Sequence, residues 1–396
     1  MATPMSSSQR TRYLLSPLLF GYLFSFTFFC AAQEQVYTFN FNRSSYYGEM
    51  YHLALGLMSD PNAFVHLPHI SELPQSQREN RLKILEGQPA ARQALLIYSF
   101  LKQLNLENRI ISETTLLPPI GKKIFNLTGK NKPDGKGKFD SPVVAPLADT
   151  TQAFERFVDS KGDEAIKQAT SLFTRSGNDP PESVKTFIDT QITAKQTSSK
   201  PFIIIWNRQD TSYQPERNMS RETMTSLISE SLLKGYIPMI LGPPIDPSWE
   251  NVRQMISQGE IVDLTEIWKK EPFNHWETQV INQLDFFREL KSRGKLVGQI
   301  GMKGGAIDGP ALAANLPTIE LVIPQDTLNQ AAKSRRIIRY ANSIGNMMIL
   351  QVDRAGSVRH LYNSSPADWL GLLLEPQRIR LNCRTLYQHL GLRVKM

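Results

Sequence analysis

Apolar and polar positions along this chain recur with two periods, and each change of period marks an element. Residues 36–41 (VYTFNF) alternate as a strand does, and 42–48 form a polar turn. From Glu49 onward Met50, His52, Leu53, Leu55 and Leu57 fall at helical spacing. A strand, a loop and a helix in that order open an α/β sheet. Residues 89–104 carry Ala94, Leu95, Tyr98, Leu101 and Leu104 at helical spacing, and a short strand is expected at 109–112. The stretch 121–138 (GKKIFNLTGKNKPDGKGK) reads as a surface loop. Residues 149–177 are expected to be helical, Asn178-Asp-Pro-Pro181 breaks the pattern, and a last helix leads to the polar run 195–200.

After Pro201 the alternation becomes regular. Strands are expected at 202–206, 237–241, 261–264, 296–299 and 318–323, with helices at 220–234, 249–258, 275–293 and 310–315 between them. Strands separated by helices imply βαβ units and a parallel sheet. Such sheets bind ligands outside the carboxyl ends of their strands, so the loops after Trp206, Leu241 and Gln299 should cluster. The expected fold class is therefore α/β with two Rossmann-like lobes. Residues 33–195 form the first lobe and 196–396 the second, with an apolar segment at 1–32 ahead of them.

That segment changes the picture of where the chain works. Arg10 and Arg12 precede residues 13–32 (YLLSPLLFGYLFSFTFFCAA), which carry no charge. About 20 such residues span a bilayer core. The run reads either as a cleaved signal peptide or as a signal anchor. Basic residues ahead of it place the remainder on the lumenal side. The expectation is a secretory-pathway protein, single-pass and type II, or else secreted. Four sequons, at Asn42, Asn126, Asn218 and Asn363, would then accept glycans. Cys30 lies inside the apolar run, so a disulfide with Cys383 is not expected and the fold must rest on its core.

With 41% hydrophobic residues among 396, the chain can bury cores for two domains. The net charge of +8 is spread along the sequence without a nucleic-acid motif, so no nucleic-acid partner is expected. The Gly-Lys pairs at 121–138 miss P-loop spacing, because Gly129 and Gly135 stand one residue too far apart. His66 and His69 have no carboxylate or cysteine at ligand spacing, and no metal site is expected. Neither Gly-x-Ser-x-Gly nor His-Glu-x-x-His occurs, which disfavours a hydrolase.

Two constellations remain. Trp206-Asn-Arg-Gln-Asp-Thr-Ser-Tyr-Gln-Pro-Glu-Arg217 follows a strand expected to be buried. Arg208 should project over the sheet edge, where it could grip a diphosphate or serve a structural ion pair. Arg217 is either a second clamp or the start of the next helix. The second is Gly301-Met-Lys-Gly-Gly-Ala-Ile-Asp-Gly-Pro310. Gly301, Gly304 and Gly305 permit close backbone approach to phosphate oxygens, or simply a tight turn. Gln299 stands where a dinucleotide fingerprint needs its first glycine, which argues against a nicotinamide dehydrogenase.

The Arg-bearing loop, the Gly-Pro-Pro loop at 242–244, the sequence Gly301-x-x-Gly-Gly-x-x-Asp-Gly-Pro-Ala-Leu312 and the following Leu-Pro-Thr-Ile319 together resemble the donor half of GT-B glycosyltransferases. The likeness is nearest to their fucosyltransferase-like branch and covers about residues 201–323. The resemblance implies a nucleotide-sugar donor held by Asn207, Arg208 and the 301–309 loop. It also implies an acceptor, whether glycan, protein or small molecule, bound by the first lobe. The family's His-x-Arg is Trp206-Asn207-Arg208 here, and no Asp-x-Asp occurs, which is compatible with a metal-independent reaction without cofactor. An inverting reaction would need a base, for which Glu49, His52 and Asp308 are candidates, although His52 also reads as a core histidine. The alternative function is a noncatalytic sugar- or nucleotide-binding protein.

Overall fold

The computed structural model describes residues 35–38, 47–66, 89–110, 154, 157, 158, 160–174, 179–193, 199–209, 215–323, 347–361 and 365–375. Residues 35 to 396 form one compact unit. In its first part, β1 (Gln35–Thr38) pairs in parallel with β2 (Ala63–His66), across α1 (Tyr47–Ser59). The strand β2 stands where the sequence pattern suggested no element. A turn at Asp60 makes it possible, since Asp60 Oδ1 accepts from the Asn62 N–H at 2.9 Å. Arg109 then fastens the turn by donating to the carbonyls of Asp60 and Ala63 and lying 5.2 Å from the Phe64 ring centroid. Residues 107–109 form a 3-10 turn, so of the strand expected at 109–112 Arg109 belongs to the turn, Ile110 is bridged in parallel to Val65, and 111 and 112 lie outside the described residues. Among the described residues this part also contains α2 (Pro89–Gln103), α3 (Ala165–Leu172) and α4 (Glu182–Phe187).

The second part is a seven-stranded sheet. Its strands are β3 (Phe202–Trp206), β4 (Ile237–Gly242), β5 (Val262–Thr265), β6 (Leu296–Met302), β7 (Thr318–Val322), β8 (Met347–Val352) and β9 (Val358–His360). They lie in the order β5-β4-β3-β6-β7-β8-β9, parallel except for β9 against β8. Counting β3 as first, the parallel strands run 3-2-1-4-5-6. That is the doubly wound order, whose winding reverses between the first and fourth strands, here β3 and β6. The expected mixed α/β class and parallel sheet are thus present. Elements β8, β9 and α9 (Trp369–Leu374) lie beyond the last element the sequence pattern suggested.

Helices cover both faces. On one, α5 (Arg221–Leu233), α6 (Glu250–Ser257) and α9 place Met224, Leu227, Ile228, Val252, Trp369 and Leu373 against Ile203, Ile205, Ile240 and Ile300. Ser220 starts α5 as its N-cap, accepting from the Thr223 N–H at 3.1 Å. On the other face α7 (Gln279–Ser292) and α8 (Asp308–Ala313) lie on Ile204, Trp206, Met239 and Leu241. A further layer covers these two helices: α2 and α4 meet α7, while α1 and α3 meet α8. This explains why α7 is buried on most of its circumference, Gln279, Asn282, Gln283 and Asp285 included, and why every residue of α8 is buried. The small residues of α8 let it fit between layers. A Cβ on Gly309 would stand 2.7 Å from Tyr51 Oη. Lys291 closes the other end of α8, donating to the Ala314 carbonyl at 2.7 Å and to that of Asn315, and burial lowers its pKa.

The expectation of a single-pass membrane protein needs correction. No helix among the described residues is long and apolar enough to cross a membrane. The apolar run at 13–32 lies outside the described residues, as do Asn42, Asn126 and Asn363 of the sequons and the stretch 121–138. The membrane partner and the secretory topology are therefore withdrawn.

Candidate functional site

Parallel strands deliver their carboxyl ends to one edge, and in doubly wound sheets the ligand crevice lies where the winding reverses, here between the loops after β3 and β6. Both sequence constellations meet at this edge. Arg208, two residues beyond β3 and half-buried, donates from Nη1 to the Lys303 carbonyl at 2.9 Å, across the reversal. Residues 305–307 form a 3-10 turn leading into α8. Lys303, Gly304 and Gly305 are half-buried and Ala306 is exposed, so the turn faces solvent.

Asn207 joins a third loop to the site. It is buried, its backbone N–H donates to the Leu241 carbonyl at 2.7 Å, and its Nδ2 donates to the carbonyls of Pro243 at 2.9 Å and Pro244 at 3.2 Å. Gly242 permits this closeness. Its φ is +112°, and a Cβ there would stand 2.1 Å from the Asn207 carbonyl oxygen. The loops after Trp206, Leu241 and β6 therefore cluster as the sheet polarity requires.

The glycines divide by role. Gly301 belongs to β6, which runs three residues past its expected end at Gln299 to Met302, and a Cβ there would meet the Trp206 Cβ at 2.6 Å. It serves strand packing. Gly304 is in extended backbone, φ −174°, and a Cβ there would meet only the Met302 carbonyl oxygen, at an ordinary contact distance of 3.6 Å. Gly305 begins the turn, where the first N–H groups of a helical turn lack intrahelical partners.

His52 and Asp308 are brought together, but in the interior. The Nε2 of His52 lies 3.5 Å from Asp308 Oδ2, with side-chain exposures of 0% and 4%. The His52 ring sits 4.7 Å from that of Phe154, centroid to centroid. The pair links α1 to the first residue of α8. Glu49 lies in the first turn of α1, on the N-terminal side of His52. Arg217 ends a 3-10 turn, Pro215–Arg217, ahead of α5; Arg217 and Asn218 are half-buried. Residues 210–214 of the arginine-bearing loop lie outside the described residues.

One residue of the site escaped the sequence reading. Gln299 stands wholly buried in β6 and bonds the end of the 305–307 turn. Its signal is a polar residue in a strand otherwise buried and apolar, because such a group must find partners inside.

Comparison with known proteins adds three likenesses in shape. No protein-family model matches the chain, and no curated protein is similar to it in sequence. The chain is similar to the E. coli ADP-heptose lps heptosyltransferase II at 11% identity and a TM-score of 0.35, covering 90% of this chain and 98% of that one. It is similar to the glycosyl transferase family 9 protein from Veillonella parvula DSM 2008 at 11% identity and a TM-score of 0.39, covering 90% and 97%. E. coli heptosyltransferase WaaC, solved with ADP-2-deoxy-2-fluoro heptose, is similar at 12% identity and a TM-score of 0.33, covering 80% and 93%. None of the three is named as a fucosyltransferase. The doubly wound description rests on the strand order itself.

Proposed function

We propose that this chain is a glycosyltransferase of the GT-B kind, binding a nucleotide-sugar in the crevice between the loops after β3 and β6. One observation carries the reading: Arg208 reaches across the reversal of winding to the Lys303 carbonyl, at the start of a solvent-facing turn. A guanidinium and the N–H groups at the start of a turn are the groups that hold a diphosphate. When the bond between the sugar and the diphosphate breaks, negative charge gathers on the leaving oxygen, and the same groups stabilise it. The acceptor hydroxyl forms the new bond and gives up its proton. Of the three base candidates His52 and Asp308 face each other in the interior, and we assign the role to Glu49. Residues 33–195 supply the acceptor side in this reading. The sugar is a hexose or, following the sequence resemblance, fucose.

A second reading has its own support. Two of the three base candidates are withdrawn from solvent, as in a protein that binds a nucleotide or sugar without transferring it. Calorimetric titration with UDP, GDP and ADP, followed by release of nucleotide from the matching sugar donors, separates the readings. Arg208→Ala should weaken binding by about 1.5–3 kcal/mol, ten- to a hundredfold, with the melting temperature nearly unchanged. Wild-type affinity in a folded Arg208→Ala protein would remove the site, and binding without turnover would favour the second reading.

A further inference from the structure

We propose that Gln299 is a positioning residue of the crevice, setting where the 303–307 turn stands relative to Arg208. The inference rests on the reading of that crevice as a diphosphate site. Gln299 is fully buried, and its amide makes three side-chain bonds. Oε1 accepts from Trp206 Nε1 at 2.7 Å, while Nε2 donates to the Ile307 carbonyl at 2.8 Å and to Thr318 Oγ1 at 2.8 Å. Thr318 Oγ1 in turn donates to the Leu316 carbonyl at 2.7 Å. An indole N–H can only donate and a carbonyl can only accept, so the amide orientation is fixed by its partners.

The three arms differ in what they hold. Trp206 and Thr318 sit on β3 and β7, strands that already flank β6 in the ladder. Breaking either arm leaves the strands joined. The arm to Ile307 leaves the sheet. Ladder contact ends at Lys303, whose N–H meets the Leu321 carbonyl at 2.9 Å. Beyond it the turn is held at its near end by Arg208 on the Lys303 carbonyl and at its far end by Gln299 on the Ile307 carbonyl. A buried amide is costly unless fully bonded, and an apolar residue would fill the strand at less cost. The bond to Ile307 is what an apolar residue could not supply.

The test uses the full chain and four variants: Gln299→Met, Gln299→Glu, Trp206→Phe and Thr318→Val. Melting temperature, amide hydrogen exchange over residues 303–308 and the dissociation constants of UDP, GDP and ADP are measured for each. Gln299→Met, Trp206→Phe and Thr318→Val should all melt lower. Only Gln299→Met should speed exchange over 303–308, and it alone of these three should weaken nucleotide binding, by about tenfold. Gln299→Glu keeps the shape but loses both donations when ionised. Burial raises the pKa of such a carboxyl, so this variant should match Gln299→Met above that raised value and recover part of the protection as pH falls through it, when its carboxyl regains one donor; it also serves if Gln299→Met does not fold. Equal exchange and equal affinity in Gln299→Met and Thr318→Val would overturn the proposal, as would a Gln299→Glu protein indifferent to pH. If wild-type protein binds none of the three nucleotides, the diphosphate reading fails, while the exchange pattern still decides whether Gln299 holds the turn.

Discussion

The pair formed by His52 and Asp308 permits a quantitative test of how the first part of the chain is joined to the sheet. His52→Leu would leave the Asp308 carboxyl buried at 4% exposure, without the group 3.5 Å away. Asp308→Leu would leave the imidazole buried in the same way, against Phe154. Breaking a buried charged pair from one side costs at most about 3–5 kcal/mol, because the remaining group loses this partner and keeps its desolvation penalty. Replacing both sides with apolar residues of similar size removes that penalty. The double variant His52→Leu/Asp308→Leu should therefore be more stable than either single variant, by about 2 kcal/mol or more. Urea unfolding followed by tryptophan fluorescence and far-UV dichroism gives the three differences from the shifts in midpoint at constant slope. Single effects below about 1 kcal/mol, or single effects that add to the double within about 0.5 kcal/mol, would refute the coupling. The same proteins address chemistry: if either residue is the acceptor base, the stable double variant should bind nucleotide-sugar and fail to transfer it.

Two further outcomes follow from the geometry. Gly242→Ala places a methyl where the Asn207 carbonyl oxygen stands, at φ +112°, and should cost about 3 kcal/mol or more, read as a lower melting temperature together with weaker nucleotide binding; an unchanged melting temperature would contradict the close approach. Burial raises the pKa of Glu230 despite the 2.5 Å bond from Trp369 Nε1, so its folded form holds the proton more tightly than the unfolded chain does. Its contribution to stability is fully present below the ordinary glutamate value of about 4.3 and is lost as pH rises through the higher folded value. Glu230→Gln should flatten that part of the stability profile measured by urea unfolding from pH 4 to 7, and an unaltered slope would refute it.

The legible parts of the site are those where one strand and its own loop suffice. Five apolar residues at 202–206 could only be an interior strand, and a charged residue two positions later had to stand at the sheet edge; Arg208 does so. The glycine-rich stretch was harder, because glycine serves both a phosphate and a close-packed neighbour. Gly301 proved to face Trp206, a strand partner 95 positions earlier, whereas Gly305 begins the turn. Gln299 could be read only as the wrong residue for a dinucleotide fingerprint, since its partners Trp206, Ile307 and Thr318 come from three different elements. The strand β2 was missed because four residues ending in His66 carry too short a pattern, and its turn depends on Arg109, 46 positions away from Ala63.

Between residues 202 and 323 the sequence by itself determined the periods: which segments are strands, which are helices, and that strands alternating with helices must lie parallel with their loops on one edge. These are local consequences of backbone geometry and side-chain spacing, and they survive any arrangement of the elements. The order of the strands, the pairing of His52 with Asp308, the burial of α8 between a sheet and a second layer of helices, and the bond from Arg208 to Lys303 were decided only in three dimensions. Each joins residues far apart in the chain through a contact of a few ångströms, and no periodicity in a linear sequence encodes which distant partner will fill that space.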